Sequence, residues 1–122
     1  MKILPIKTKS KQYNIYIGYN VISQLNKIIN KKNIKFKKAL IVVDRKIPKY
    51  FIKRIKSKIS SEKKLIYFFN SSERNKNILN VNLILEVLLK NNFTRNDVII
   101  CLGGGIVGDI SGFAASIYKR GL

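Results

Sequence analysis

The sequence predicts an α/β fold, a Rossmann-like parallel sheet with flanking helices and an N-terminal antiparallel strand pair. Three observations carry that expectation. From Ala39 onward, apolar runs of strand length alternate with amphipathic stretches of helix length in the order β-α-β-α-β-α, the order that gives parallel strands joined by crossover helices. The run Ala39-Leu40-Ile41-Val42-Val43 is apolar throughout, as strands buried on both faces are. Val98-Ile99-Ile100-Cys101-Leu102 leads straight into Gly103-Gly104-Gly105, a strand feeding a tight turn and the start of a helix.

Each element has its own justification. Lys2 to Lys7 and Gln12 to Ile17 read as an antiparallel pair around the polar Thr8-Lys9-Ser10-Lys11, with Tyr13, Ile15 and Ile17 on one face. Asn20 is placed to cap a helix whose Val21, Ile22, Leu25, Ile28 and Ile29 share one side. After the strand at Ala39, which ends at Asp44, Pro48 suits the first turn of a helix. That helix should turn Ile47, Phe51, Ile52, Ile55 and Ile59 inward. Leu65 to Phe69 is the next strand. The polar loop Asn70 to Asn77 follows, then a helix with Val81, Ile84, Leu85, Leu88 and Leu89 on one face. In the last helix Gly108, Ser111, Gly112, Ala114 and Ala115 are small and should let it sit close to the sheet. Ile110, Phe113 and Ile117 should fill the remaining core.

Bulk properties narrow the function classes. At 122 residues the chain is one domain at most, or part of one. No apolar run approaches the ~20 residues of a membrane span. Met1 to Lys7 has neither a long apolar segment nor a small-residue cleavage site, so no signal peptide is expected. The single Cys101 cannot form an intrachain disulfide, which fits a reducing cytoplasm. Within its strand it reads as a small core residue. The net charge of +19 raises the possibility of a nucleic-acid binder. Lysine, isoleucine and asparagine are abundant together, however, as in a chain shaped by AT-rich codons. Neither interleaved aromatics nor arginine forks accompany the lysines, so the pattern argues against nucleic-acid binding as the primary role.

The candidate site lies at one sheet edge. Ligands of open parallel sheets bind outside the carboxyl ends of the strands. Here those ends are Asp44, the Asn70 to Asn77 loop and the glycine turn. Gly103, Gly105 and Gly108 have the spacing G-x-G-x-x-G. That spacing lets backbone approach a pyrophosphate whose charge rests on the helix N-terminus. Asp109 is expected in the first helical turn, either complementing the helix dipole or contacting a cofactor group. Glu73 and Lys76 are either a solvated charged pair or part of the site. Arg120 either opposes the dipole at the helix end, with Gly121 beyond it, or clamps a phosphate. With no histidine in the chain, Ser-His and Cys-His catalytic pairs are excluded, and a zinc site is implausible.

With these residues placed, Gly103-Gly104-Gly105-Ile106-Val107-Gly108-Asp109-Ile110-Ser111-Gly112-Phe113-Ala114-Ala115, then Tyr118-Lys119-Arg120-Gly121, resembles the signature of the 3-dehydroquinate synthases, of the sugar phosphate cyclase superfamily. Ser71-Ser72-Glu73-Arg74-Asn75-Lys76 resembles their G-E-x-x-K loop, and Val42-Val43-Asp44 their first nucleotide-binding strand end. The resemblance implies conversion of 3-deoxy-D-arabino-heptulosonate 7-phosphate to 3-dehydroquinate and phosphate, a lyase step of the shikimate pathway, with catalytic NAD and a zinc or cobalt ion. It implies NAD contacts from Asp44, from Ser71, Ser72, Glu73, Arg74, Asn75 and Lys76, and from Gly105, Ile106, Val107, Gly108 and Asp109. It also implies a substrate phosphate at Arg120, reached across a homodimer interface. Ser72 stands where the family usually has Gly, which asks for a different backbone shape. Lys46 stands where it often has Asn. The family's second, mainly helical domain, with the metal ligands and catalytic lysines and histidines, has no counterpart here. Residues 1–122 are therefore read as an incomplete N-terminal NAD-binding domain without synthase activity of its own. A decayed remnant and a basic nucleic-acid-binding module are the alternatives.

Overall fold

The computed structural model describes all 122 residues. β1 (Lys2–Lys7) and β2 (Gln12–Ile17) pair antiparallel, with Leu4 opposite Ile15. A 3-10 turn, Val21–Gln24, runs into α1 (Leu25–Lys31). Then follow β3 (Lys38–Asp44), α2 (Lys49–Lys58), β4 (Lys63–Phe69), α3 (Ile78–Lys90), β5 (Val98–Leu102) and α4 (Gly105–Ile117). The last three strands form one parallel sheet in the order β4-β3-β5.

β3 explains the layering. Ala39 to Val43 are all fully buried, and the twofold alternation of a strand sends them to opposite faces. Ala39, Ile41 and Val43 meet Ile52, Ile55 and Ile59, with Ile22 and Leu25 at the margin. Leu40 and Val42 meet Val81, Ile84 and Leu88 of α3 and Val107, Ile110 and Ala114 of α4. Helices therefore cover both faces, as a buried parallel sheet requires.

Several expectations change. Cys101 is exposed, because β5 is an edge strand with no neighbour on its outer side. Phe113 and Ile117 are about half exposed instead of filling the core, at 50% and 47%. α4 packs over β5, and no further strand lies beyond β5 for that flank to cover. Tyr118 takes the core position, its hydroxyl donating to the Phe93 carbonyl at 2.7 Å. Phe51 and Leu89 are likewise exposed, at the margins of their helices' buried stripes. Tyr13, Ile15 and Ile17 do share a face, but it is solvent-facing. Pro48 is the residue before α2, extended at ψ 140, with its carbonyl accepting the Phe51 N–H. Asn20 is left-handed and makes no side-chain cap; its backbone carbonyl takes the Ser23 hydroxyl, while its own side chain accepts from Arg54.

Candidate functional site

The parallel register brings three strand ends to one edge, with Asp44 level with Phe69 and Val43 level with Leu102. β3 lies between its two sequence successors. The chain therefore leaves it toward β4 and returns to its other side at β5. Such a reversal opens a crevice between the strand ends, here between Asp44 and the glycine turn.

Gly103 closes the bottom of that crevice. A Cβ on it would lie 2.9 Å from Val107 Cγ2 and 3.1 Å from the Asp44 Cβ, so only glycine lets the β5 end sit against the β3 end. The neighbouring glycines differ. Added Cβ atoms at Gly104, Gly105, Gly108 and Gly112 would meet nothing within 4 Å. Gly108 and Gly112 are thus not there to let α4 approach the sheet; Ser111 and Ala114 make that contact. The space beside Gly104, Gly105 and Gly108 lies at the helix start. No side chain caps α4, so the N–H groups of its first turn are left for an external acceptor. Ile106 and Val107 turn inward, toward the core beneath this turn.

The 71–76 segment is built by local hydrogen bonds. Ser72 caps a 3-10 turn, Glu73–Asn75, its Oγ accepting the Asn75 N–H at 3.2 Å. Ser72 is extended at φ −157, a conformation open to any residue, so the loop tolerates serine in place of glycine. Asn75 donates to the Asn70 carbonyl at 2.8 Å, and Asn80 to the Asn75 carbonyl at 2.8 Å. Asn77 then caps α3 by accepting the Asn80 N–H. Ser71 is half-buried, while Glu73 and Arg74 face solvent and form no ion pair.

Lys76 is the residue that ties this loop to the glycine turn. Its Nζ lies 2.8 Å from Asp109 Oδ2, the one salt bridge in the chain. The hydrogen bond to Asp109, then the carboxylate's charge, hold the Lys76 pKa above the ordinary lysine value. Asp109 is not in the first turn of α4 but is its fifth residue. The dipole effect fades within the first turn, so its electrostatic partner is Lys76. Asp44, half-buried, accepts the Lys46 N–H through Oδ1 at 3.0 Å. Lys46 therefore shapes the Asp44 turn as a backbone donor.

Arg120 stands apart. α4 carries the chain away from the glycine turn, about 20 Å over its 13 residues. Arg120 ends at the amino edge of the sheet, in a cavity of about 660 Å³ lined by Lys11, Arg95, Asn96, Gly121 and Leu122. Lys119 and Arg120 are both left-handed, φ 43 and 69. The segment is fixed by the Gly121 N–H on the Tyr118 carbonyl at 2.7 Å and the Leu122 N–H on the Ala115 carbonyl at 2.8 Å. Lys11 and Arg95 beside it carry no motif signal; only the fold brings them there. A neighbouring cavity of about 690 Å³ includes Asp97, whose oxygens are committed to backbone donors. No group of three or more His, Cys, Asp or Glu residues is arranged to hold a metal ion. No helix is long and apolar enough to cross a membrane.

Residues 66–122 match the family model described as 3-dehydroquinate synthase N-terminal. The 3-dehydroquinate synthase of Pelagibacter ubique is 46% identical over 119 residues, covering 98% of this chain and 32% of its own. That of Ruthia magnifica is 34% identical over 122 residues, covering 100% and 33%. The chain thus spans about a third of the length of these relatives. Among solved structures, 2-deoxy-scyllo-inosose synthase complexed with carbaglucose-6-phosphate, NAD+ and Co2+ superposes with a TM-score of 0.87. It is 20% identical, and the match covers 99% of this chain and 33% of that one. A 2-epi-5-epi-valiolone synthase from Streptomyces hygroscopicus with NAD+ and Zn2+ bound gives 0.68 at 18% identity, covering 95% and 32%. The fold is the one these solved structures have over about a third of their length, and the sequence is similar to 3-dehydroquinate synthases along its whole length.

Proposed function

We propose that this chain is the N-terminal, NAD-binding part of a 3-dehydroquinate synthase. The whole enzyme converts 3-deoxy-D-arabino-heptulosonate 7-phosphate to 3-dehydroquinate and phosphate, in a cytoplasmic setting and as a homodimer. The observation that carries the reading is the glycine turn: Gly103 packs β5 against β3, while Gly104, Gly105 and Gly108 leave room that side chains would fill. That room fits a pyrophosphate. The uncapped first turn of α4 would donate N–H groups to its oxygens. Asp44 at the end of β3 is the acidic group placed for a ribose hydroxyl, and the Ser71 to Lys76 loop would line the far wall. NAD, when bound, supplies a reversible hydride acceptor.

The chain's own residues bind and orient; none of them is arranged for metal chemistry. Zinc or cobalt would be held by residues other than these. The phosphate of the sugar is assigned to Arg120, with Lys11 and Arg95 adding charge beside it. Because Arg120 lies at the opposite edge from the glycine turn, it would serve a site formed with a second copy.

Calorimetric titration of the purified chain with NAD tests the reading. Saturable binding is expected, and it should be lost in Gly108→Leu, which fills the open side without touching the core. Absence of NAD binding, with salt-sensitive binding of duplex DNA instead, overturns it. A phosphate-release assay with the sugar phosphate, NAD and zinc should show no turnover by this chain alone.

A further inference from the structure

The helices on the two faces of the sheet differ in charge. α1 and α2 together hold seven cationic residues and no carboxylate, whereas α3 and α4 hold one lysine and two carboxylates. A codon drift toward lysine would load both layers alike, so composition does not account for the contrast. α2 buries Ile52 and Ile55 on the sheet, with Ile22 and Leu25 beside them. The cations are therefore left outward: Lys27, Lys31, Lys49 and Lys53 are exposed, and none has a carboxylate partner. Aromatic rings stand among them. Tyr50 is 62% exposed and Tyr19 is fully open. The Arg54 guanidinium lies over the Tyr50 ring, 5.5 Å from its centroid, and donates to the side chain of Asn20, next to Tyr19. Phe51 meets the Tyr50 ring edge-on at 5.3 Å. One arginine thus ties together two open tyrosines.

We propose that the outer face of α1 and α2 is a second binding surface, for single-stranded nucleic acid, distinct from the glycine cradle. Such strands are held by cations that follow the backbone and by aromatic rings on which unstacked bases lie; this face offers both. A duplex keeps its base faces stacked on one another, so open tyrosines add nothing to its binding. An anionic membrane is a poorer match. Helices that lie in a lipid surface bury an apolar side in it, and the apolar side of α2 is already buried on the sheet. An acidic protein would pair with the lysines but make no use of the free rings. The sequence hides the arrangement, because Tyr19 and Tyr50 are far apart in the chain and meet only through the Arg54–Asn20 contact. This role is additional to NAD binding, and both are expected in one chain.

The experiment is fluorescence anisotropy with labelled oligo(U) and oligo(dT), longer than a site of about 4–16 nucleotides, across a salt series. A duplex of equal length, polyphosphate and poly(glutamate) are the comparisons. The single strands should bind more tightly than the duplex, with log affinity falling linearly against log salt. Lys49→Gln with Lys53→Gln should shrink that slope by about 1.4, roughly 0.7 for each lost phosphate contact. Lys9→Gln with Lys90→Gln, equal in charge but outside α1 and α2, should leave it unchanged. Tyr50→Ala should weaken the strands at least about fivefold and polyphosphate less than about twofold, and Tyr50→Phe should retain binding. Melting curves check that every variant folds. Binding of oligo(U) alone or oligo(dT) alone supports the proposal and identifies the strand as RNA or DNA. Equal slope changes in the two lysine pairs, a Tyr50→Ala loss no larger on strands than on polyphosphate, or tighter binding of duplex or poly(glutamate) overturns it. Capture by phosphatidylserine vesicles without binding of either strand also overturns it. NAD titrated into the same samples reports the cradle separately, so loss of this proposal leaves the NAD reading standing.

Discussion

Asp97 Oδ1 accepts the backbone N–H of Lys38 at 2.9 Å across 59 positions of sequence. The same oxygen takes the Lys37 N–H at 3.3 Å, and Oδ2 takes the Thr94 N–H at 2.8 Å. One carboxylate thus fastens the start of β3 to the turn before β5. Lys38 reciprocates, donating from Nζ to the Asn91 and Asn92 carbonyls at the end of α3. Burial on its own would raise the Asp97 pKa; the N–H groups of Thr94, Lys38 and Lys37 and the Thr94 hydroxyl outweigh it and leave it lowered. A folded pKa below the unfolded one means stability that is complete above the ordinary aspartate value of about 4 and drains away as pH falls through the folded value. Asp97→Asn should cost about 1–3 kcal/mol at neutral pH. It should also flatten the acid limb of a urea-melt series taken from neutral pH downward. An unchanged limb would show that another carboxylate governs it.

The glycines divide by the surroundings of an added Cβ. Gly112→Ala meets open space within α4, and alanine gains about 0.5–1 kcal/mol over glycine inside a helix. Its melting temperature should rise with NAD affinity unchanged. Gly108→Ala should give the same stability gain while weakening NAD. Gly103→Ala should lose about 1–3 kcal/mol, because Val107 is β-branched and stiff and the Asp44 Cβ is fixed to the end of β3. Thermal melts with and without NAD distinguish the three.

Ser111 is buried on α4, and its Oγ has no nitrogen or oxygen partner, only the weakly bonding Cys101 thiol beside it. An unsatisfied buried hydroxyl costs about 1–3 kcal/mol. Ser111→Ala should therefore raise the urea midpoint. A lowered midpoint would mean that the hydroxyl is bonded in solution.

Cys101 lies on the uncovered flank of β5. It should react with a maleimide under native conditions, without prior unfolding. Although the residue is open to solvent, partial desolvation of the thiol beneath α4 raises its pKa, outweighing the backbone and the Ser111 hydroxyl that lower it, so the rate at neutral pH should fall below that of a free cysteine and climb as pH rises. Protection equal to a core thiol would show β5 paired with another strand in solution.

Much of the fold is legible because apolar runs and polar breaks mark each strand, and an uninterrupted run such as Ala39 to Val43 fits only a doubly covered position. The convergence of Asp44, the 70–77 loop and the glycine turn is legible too, since parallel strands put their ends on one side. Periodicity names a helix face but not the width of the sheet beneath it, which is why Phe113 and Ile117 read as core. Asp97 is hidden because Thr94-Arg95-Asn96-Asp97 reads as an ordinary polar loop; the Thr-x-x-Asp spacing was its one signal. The distance from the glycine turn to Arg120 follows from the length of α4, whereas the company of Lys11 and Arg95 depends on tertiary packing alone.

The lone ion pair has a consequence for the chain as a whole. Twenty-five cations balanced by six carboxylates, with one pair in contact, make this a polyelectrolyte folded against its own repulsion. The Debye length shrinks from roughly 10 Å at 0.1 M salt to 3 Å at 1 M. Simple electrolyte should therefore raise the melting temperature, the reverse of its effect on a fold braced by ion pairs.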